Sequence, residues 1–298
     1  MKKILLTGST GFIGNAFLRS AILKGYEIGA LILPGLKIPE DLKHHPSVRW
    51  FVGSLNNLDW DEIAKFKPDV CLHTAWITTP GLYLHSPENY IFAKESLLFI
   101  EKAVKCGVET VIVTGTCIEY KKSNEPLNED RSPIEPDTIY ARCKHQLHQD
   151  LIIKSQEFGF NLAWTRIFYP YGVGEHQDRL CSYIIRKLLN NEKVELKTPN
   201  SAKDYIYITD IAEGLLLIIE RDFSGTINIG SGQAITVKEI AYLIGELMNK
   251  RHLIEESKQS EQPDCTVADI AKLKSLGWNQ KVSIQNGLKM LIEHFQVK

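Results

Sequence analysis

Apolar residues come in short runs, most of them followed by stretches whose apolar positions recur every three or four residues. Lys3 to Thr7 predicts a first strand, and Ile13 to Lys24 predicts the helix after it. Tyr26 to Leu33 returns as a mostly apolar run, suited to a strand covered on both faces, and Pro34-Gly35 ends it. Trp50 to Val52 predicts a short strand, Leu58 to Phe66 a helix, and Asp69 to Ala75 another apolar strand. Tyr90 to Cys106 has the spacing of a long helix, and Val108 to Thr114, rich in Val, Ile and Thr, that of a strand. This alternation predicts an α/β protein with a Rossmann-like, doubly wound parallel sheet.

Lys121 to Pro136 is polar and punctuated by Pro126, Pro133 and Pro136, so it reads as an exposed connection to a helix beginning at Asp137 or Thr138. Leu162 to Phe168 predicts a strand, and Pro170 to Gly174 an abrupt loop. Beyond it, Leu180 to Leu189, Ile211 to Glu220 and Thr236 to Met248 read as helices. Val194 to Thr198, Tyr205 to Ile208 and Gly225 to Gly230 read as strands, and Pro263 to Lys298 as short helical segments. We expect a nucleotide-binding domain over residues 1–168. A smaller mixed α/β region over 169–298 is expected to enclose a substrate, with segments exchanged between the two.

Charge narrows the partners. Lys and Arg number 35 against 36 Asp and Glu, so the total charge has no bias toward nucleic acid or an acidic membrane. Lys2 and Lys3 precede an apolar run, but Thr7, Gly8, Ser9 and Thr10 break it before it reaches the length of an export signal. No stretch approaches a membrane span, and a cytoplasmic location is expected. The cysteines at 71, 106, 117, 143, 181 and 265 form no CxxC pair, which predicts reduced thiols rather than disulfides or structural zinc. His145 and His148 can share a helix face near Cys143, but solvated or packed side chains are the simpler reading, and no metal is expected.

Candidate chemistry begins in ILLTGSTGFIG. Gly8 permits a turn where a side chain would crowd the backbone, Gly11 permits close approach of a pyrophosphate, and Gly14 permits tight packing of the helix. The N–H groups at the helix start can then bind phosphate. The bland alternative is a glycine-rich helix start with no ligand, and the apolar strand before it weighs against that. A Walker loop is disfavoured because no Gly-Lys-Ser/Thr follows. Downstream, Tyr140 and Lys144 in YARCK stand one helical turn apart on one face. A phenol holds its proton at neutral pH, and a nearby ammonium stabilises the phenolate. Such a pair can give a proton to a carbonyl oxygen while hydride reaches its carbon, with the Thr116 hydroxyl aligning that oxygen. Alone, YxxxK is an ordinary surface pair; the glycine turn and the strand leading to Thr116 give it meaning.

The chain resembles the extended short-chain dehydrogenase/reductase superfamily, in particular its NAD-dependent epimerase/dehydratase group acting on nucleotide sugars. The resemblance rests on TGSTGFIG (7–14), DVCLHTAW (69–76), VTGTCIEY (113–120), YARCK (140–144), RIFYPYGVG (166–174), KDYIYITDIA (203–212) and INIGSG (227–232). It implies that Thr116, Tyr140 and Lys144 are catalytic, with Lys144 also binding nicotinamide ribose. It places Phe12 and Ile13 beside the pyrophosphate turn, His73, Thr74 and Ala75 along the cofactor, and Phe168 to Pro170 at nicotinamide. His73 is equally readable as a structural histidine, and Phe168 as a core aromatic. Arg166, Arg179, Lys203 and Tyr205 are candidates for the substrate end, with Asp204 between the last two, and a diphosphate makes the cations useful there. Asp210 reads as fold support at a helix entrance.

Two departures narrow the reaction. Related 4,6-dehydratases follow the catalytic Thr with Asp-Glu, whereas Cys117 and Ile118 follow Thr116, which disfavours dehydration. An acid at the end of the second strand would bind the adenosine ribose of NAD. Ile32 and Leu33 stand there instead, which shifts the expectation to NADP(H), with NAD(H) as the alternative and Lys37 the nearby cation. Ser54 stands where an aspartate often follows the third-strand glycine, and is kept as a cofactor contact. AWITTPGLYLHSPENY resembles bacterial reductases that make deoxysugars for surface polysaccharide, lipopolysaccharide included. The expected reaction is therefore reduction of a nucleotide-diphosphate 4-keto-6-deoxyhexose. A nucleotide-sugar 4-epimerase is the enzymatic alternative and a non-catalytic nucleotide-binding protein the other. Helices Tyr90 to Cys106 and Tyr140 to Phe158 resemble those forming a four-helix homodimer interface, although their apolar positions can equally cover the sheet of a monomer.

Overall fold

The computed structural model describes residues 2–257 and 264–297. Its first half runs β1 (Lys3–Thr7), α1 (Phe12–Leu23), β2 (Glu27–Ile32), β3 (Val48–Val52), α2 (Trp60–Phe66), β4 (Val70–His73), α3 (Glu88–Lys105), β5 (Thr110–Thr116), α4 (Ile139–Phe158) and β6 (Asn161–Ile167). There follow β7 (Tyr169–Tyr171), α5 (Leu180–Leu189), β8 (Val194–Leu196), β9 (Ala202–Lys203), β10 (Tyr205–Tyr207), α6 (Ile208–Glu220) and β11 (Gly225–Ile229). The chain ends with β12 (Ile235–Thr236), α7 (Val237–Leu247), β13 (Ile254–Glu256), β14 (Cys265–Thr266), α8 (Ala271–Ser275) and α9 (Ile284–Val297). The two ends of the expected helical stretch, Pro263 and Lys298, lie outside the described residues.

Two compact units divide the chain. The first gathers Met1–Glu119, Glu135–Arg166 and Ala212–Ile227; the second gathers Tyr120–Ile134, Ile167–Ile211 and Asn228–Lys298. The chain passes from the first unit to the second between Arg166 and Ile167, among other crossings.

The first unit is built on a seven-stranded sheet of order β11-β6-β5-β4-β1-β2-β3. β1 pairs in parallel with both β2 and β4, and the register sets Thr7 opposite His73, so both residues finish their strands at the same sheet edge. Burial of the strands on both faces explains their near-continuous apolar sequences. One face packs Leu5, Val111, Val113 and Trp164 against Phe99 of α3 and Leu147 of α4. At α4, the Thr138 hydroxyl accepts from Ala141 N at 3.1 Å, and Gly159 closes the helix in the left-handed region at φ 73°. Caps at both ends thus fix where this helix starts and stops.

In the second unit, two expectations are corrected. Pro170 lies in a strand rather than in a loop, because β7 pairs in parallel with β10, Tyr169 opposite Tyr205 and Tyr171 opposite Tyr207. Segment 120–134 is more than an exposed connection: Leu127 is buried, its N–H donates to Val267 O, and its carbonyl accepts from Asp269 N. Asp210 accepts from the N–H groups of Lys281 and Val282, so it ties the start of α6 to the segment before α9.

Candidate active site

The glycine turn is shaped by close contacts. Gly8 has φ +67°, and a Cβ there would lie 2.6 Å from Thr74 Oγ1 and 2.8 Å from Ala75 N. At Gly14 a Cβ would lie 2.1 Å from Gly8 O, so the tight approach is to the turn's own carbonyl and not only to a strand. Gly11 N donates to Gly8 O at 2.9 Å, and α1 begins without a side-chain cap or an acid in its first turn. Those first N–H groups therefore remain available to an anion.

β4 supports the turn through Thr7. The Thr7 hydroxyl accepts from Thr74 N at 3.1 Å and Ala75 N at 3.2 Å, and it pairs with His73 Nδ1 at 2.9 Å. His73 Nε2 meets the Ser96 hydroxyl at 2.9 Å, so both ring nitrogens are partnered in the interior. Burial, with Lys144 nearby, lowers the His73 pKa to about 3, which keeps it neutral. This is the structural histidine of the two readings.

Beside the turn opens a cavity of about 280 Å³, whose lining includes Gly8, Gly11, Ser54, Leu55, Ala75 and Leu33. Three further lining residues had no assigned role in the sequence reading: Trp76, Phe92 and Glu95. Glu95 Oε1 accepts from Asn56 Nδ2 at 2.6 Å, and Ser54 Oγ donates to Asn56 Oδ1 at 2.6 Å. Phe12, Ile13, Gly14, His73 and Thr74 do not line this cavity; Gly14 and Thr74 act behind the turn.

The residues predicted to react, Thr116, Tyr140 and Lys144, all lie in the first unit. Lys144 and Tyr140 follow each other by one turn of α4, and Thr116 ends β5, its hydroxyl accepting from Ile118 N at 3.4 Å. Burial raises the Tyr140 pKa well above that of a free phenol, with Tyr83 as a further cause, so the phenol keeps its proton at neutral pH. Lys144 is 1 % exposed, its Nζ donates to Thr114 O at 2.9 Å, and burial lowers it to about 7 while Glu119 acts in the opposite sense.

A polar cluster holds Thr116 in place. Glu119 is fully buried; its carboxylate accepts from Thr116 N at 3.0 Å, Trp164 Nε1 at 3.1 Å and Arg166 Nε at 3.1 Å. Arg166, expected at the substrate, is 3 % exposed and neutralises this buried carboxylate, which would otherwise be costly. Glu119, His145 and His148 bring potential metal-binding atoms within 4.8 Å of one another. Glu119 is already committed to Arg166, however, and His148 stacks on Trp164 at 4.6 Å.

The other predicted substrate residues lie in the second unit. Lys203 Nζ is paired with Asp264 and donates to Thr266 Oγ1 at 3.2 Å. Tyr205 sits 5.8 Å from the Tyr169 ring, and Arg179 precedes α5. Phe168 is 1 % exposed, a core aromatic, and Pro170 is in β7. Asp204 is wholly buried and accepts from Ser231 N, Gly232 N and Ala268 N, which makes it a structural hub of this unit.

The model of the NAD dependent epimerase/dehydratase family matches residues 4–230. CDP-abequose synthase of Salmonella muenchen is 26% identical over 302 residues, 98% of this chain and 97% of its own. Among solved structures, UDP-N-acetylglucosamine 4-epimerase from Methanobrevibacter ruminantium, in complex with UDP-N-acetylmuramic acid, superposes with TM-score 0.88 at 20% identity, covering 99% of this chain and 98% of the other. UDP-glucose 4-epimerase of Thermus thermophilus, in complex with NAD, gives 0.83 at 23% identity over 99% of each chain. Those two likenesses establish the shared fold. Among the described residues, no helix is long and apolar enough to cross a membrane.

Proposed function

The chain belongs to the NAD dependent epimerase/dehydratase family, and on that premise we propose that it reduces the C4 ketone of a nucleotide-linked 4-keto-6-deoxyhexose with NADPH. The observation that carries this reading is the placement of the Tyr140 phenol one helical turn from Lys144 on α4, with Thr116 at the end of β5. A donor of that kind serves a ketone whose oxygen gains negative charge as its carbon is reduced.

The residues fit a dinucleotide. Gly8, Gly11 and the uncapped start of α1 would hold its pyrophosphate, and the apolar cavity with Ser54 and Leu55 its adenosine end. Bound there, a nicotinamide cofactor supplies hydride. Thr116 orients the ketone oxygen, Tyr140 delivers a proton to it, and Lys144 stabilises the phenolate left behind. NADPH is favoured because neither Ile32, which ends β2, nor the half-exposed Leu33 after it brings a carboxylate to repel an added phosphate.

Dehydration is disfavoured further. Cys117 and Ile118 follow Thr116 in a 3₁₀ turn, and the turn's carboxylate, Glu119, is held by Arg166. The Salmonella relative is named for making a CDP-linked sugar, which agrees with a product of this class. The 4-epimerase reading keeps equal support from the relatives named for that reaction, and it uses the same Tyr140 and Lys144. The proposed homodimer would use α3 and α4, where Ile91, Leu98 and Ile153 are exposed.

Incubation with dTDP-, CDP- and GDP-linked 4-keto-6-deoxyhexoses, following cofactor oxidation and sugar product together, separates the readings. Stoichiometric consumption of NADPH with a reduced sugar is expected. Interconversion of nucleotide sugars without net oxidation would establish the epimerase instead, and no turnover with any member of the panel would overturn the reductase.

A further inference from the structure

Lys144 has a partner that its role as a ribose-binding lysine does not require. Its Nζ lies 3.8 Å from the centroid of the Trp76 ring, inside the range where an aromatic face attracts a cation. An ammonium has three N–H directions. Thr114 O takes one at 2.9 Å and the indole face covers another, so a single direction is left to meet a ligand.

Trp76 is itself fixed. Its Nε1 donates to Asn89 Oδ1 at 2.8 Å, and the wholly buried Asn89 donates to the carbonyls of Tyr83 at 2.6 Å and Ser86 at 2.8 Å. One amide thus joins the indole to the loop after β4 and to the start of α3. That loop reaches the reactive pair: the Tyr83 ring meets Tyr140 edge to face at 5.0 Å, Trp76 does so at 6.3 Å, and Leu84 O accepts from Tyr140 N at 3.1 Å. Trp76 also lines the cavity beside the glycine turn, so a single ring borders both that cavity and the ammonium.

We infer that Trp76 is a positioning residue, whose indole face, locked by Asn89, retains the Lys144 ammonium in a dry site and leaves it one donor for the ribose of a bound cofactor. The inference rests on the reading that this chain binds a nicotinamide dinucleotide through Lys144. The titratable groups around Lys144 are His73 on β4, Glu119 in the turn after β5 and Tyr140 on its own helix, with Tyr83 facing Tyr140 from the loop. His73 is neutral and Glu119 is paired with Arg166, so neither replaces the ring as a local, changeable support for the cation.

The test measures binding of NADPH and NADH by calorimetry across pH in the wild type, Trp76→Phe and Trp76→Leu, and needs no sugar. Binding weakens as Lys144 loses its proton. Leucine keeps the site apolar but has no π face, so Trp76→Leu should move the midpoint of that loss down by about one pH unit, a tenfold change in the proton equilibrium. Trp76→Phe, with a weaker face, should fall between the two. Should Trp76→Leu fail to fold, uniform 5-fluorotryptophan labelling weakens the face without changing its shape; it should lower the midpoint in the wild-type background and leave it unmoved in Trp76→Phe. A common midpoint in all folded variants, labelled or not, overturns the role of Trp76 while leaving cofactor binding intact. Absence of binding of either cofactor to the wild type overturns both readings.

Discussion

Replacing Lys144 with methionine should make the cofactor-free protein more stable near neutral pH while removing its activity. Burial depresses this ammonium from 10.5 to about 7. At about 1.4 kcal/mol for each pH unit, that interval corresponds to about 5 kcal/mol of folding free energy opposed by the charged form. Methionine fills a similar volume without charge, but it leaves Thr114 O without its donor and loses the contact with Trp76. A net gain of about 1–3 kcal/mol at about pH 6 is expected.

The pH dependence identifies the cause. Between about 7 and 10.5 the unfolded chain holds a proton that folded Lys144 has released, so this group makes wild-type stability rise with pH across that window. Lys144→Met lacks that contribution, and its advantage should shrink by about 3 kcal/mol between about pH 6 and 9.5. Urea unfolding of both proteins at several pH values measures the difference, with every other titrating group common to the two. An advantage that stays constant with pH, or a variant less stable than the wild type at pH 6, would refute the reasoning.

Two other substitutions probe the site from different sides. Tyr140→Phe keeps the ring between Trp76 and Tyr83 but removes the proton donor; turnover should fall by about 10²–10⁴ with cofactor affinity within about threefold of the wild type, as read by steady-state kinetics and calorimetry. Gly14→Ala would set a Cβ 2.1 Å from Gly8 O, so the start of α1 must shift; about 1–3 kcal/mol of stability and at least about tenfold in cofactor affinity should be lost, measured by thermal unfolding and the same titration.

Local patterns carried the strand and helix order, because buried parallel strands write themselves as apolar runs and helix ends as caps such as Thr138 and Gly159. They also carried Thr116, Tyr140 and Lys144, whose spacing reflects one strand end and one helical turn. What escaped depended on partners far along the chain. Leu127 looked solvated among charges and prolines until Val267 and Asp269 supplied its backbone bonds. β7 looked like a loop because Pro170 cannot donate, yet its tyrosines found β10. Arg166 looked like a ligand for phosphate because nothing nearby in sequence announced the buried Glu119, the same charge answered from within. Trp76 stood in a motif already noted, but only its distance to Lys144 gave it a task.

The order of the seven-stranded sheet has a consequence for synthesis. β6 is flanked by β5 on one side and by β11 on the other, and β11 does not begin until Gly225. A nascent chain that has delivered residues 1–211 therefore presents as an open edge a strand that is buried on both faces in the finished fold, ready to pair with any extended neighbour. Vectorial folding of the first unit ends only when the ribosome has released β11, so stop codons between β6 and β11 should yield aggregates rather than a smaller nucleotide-binding domain.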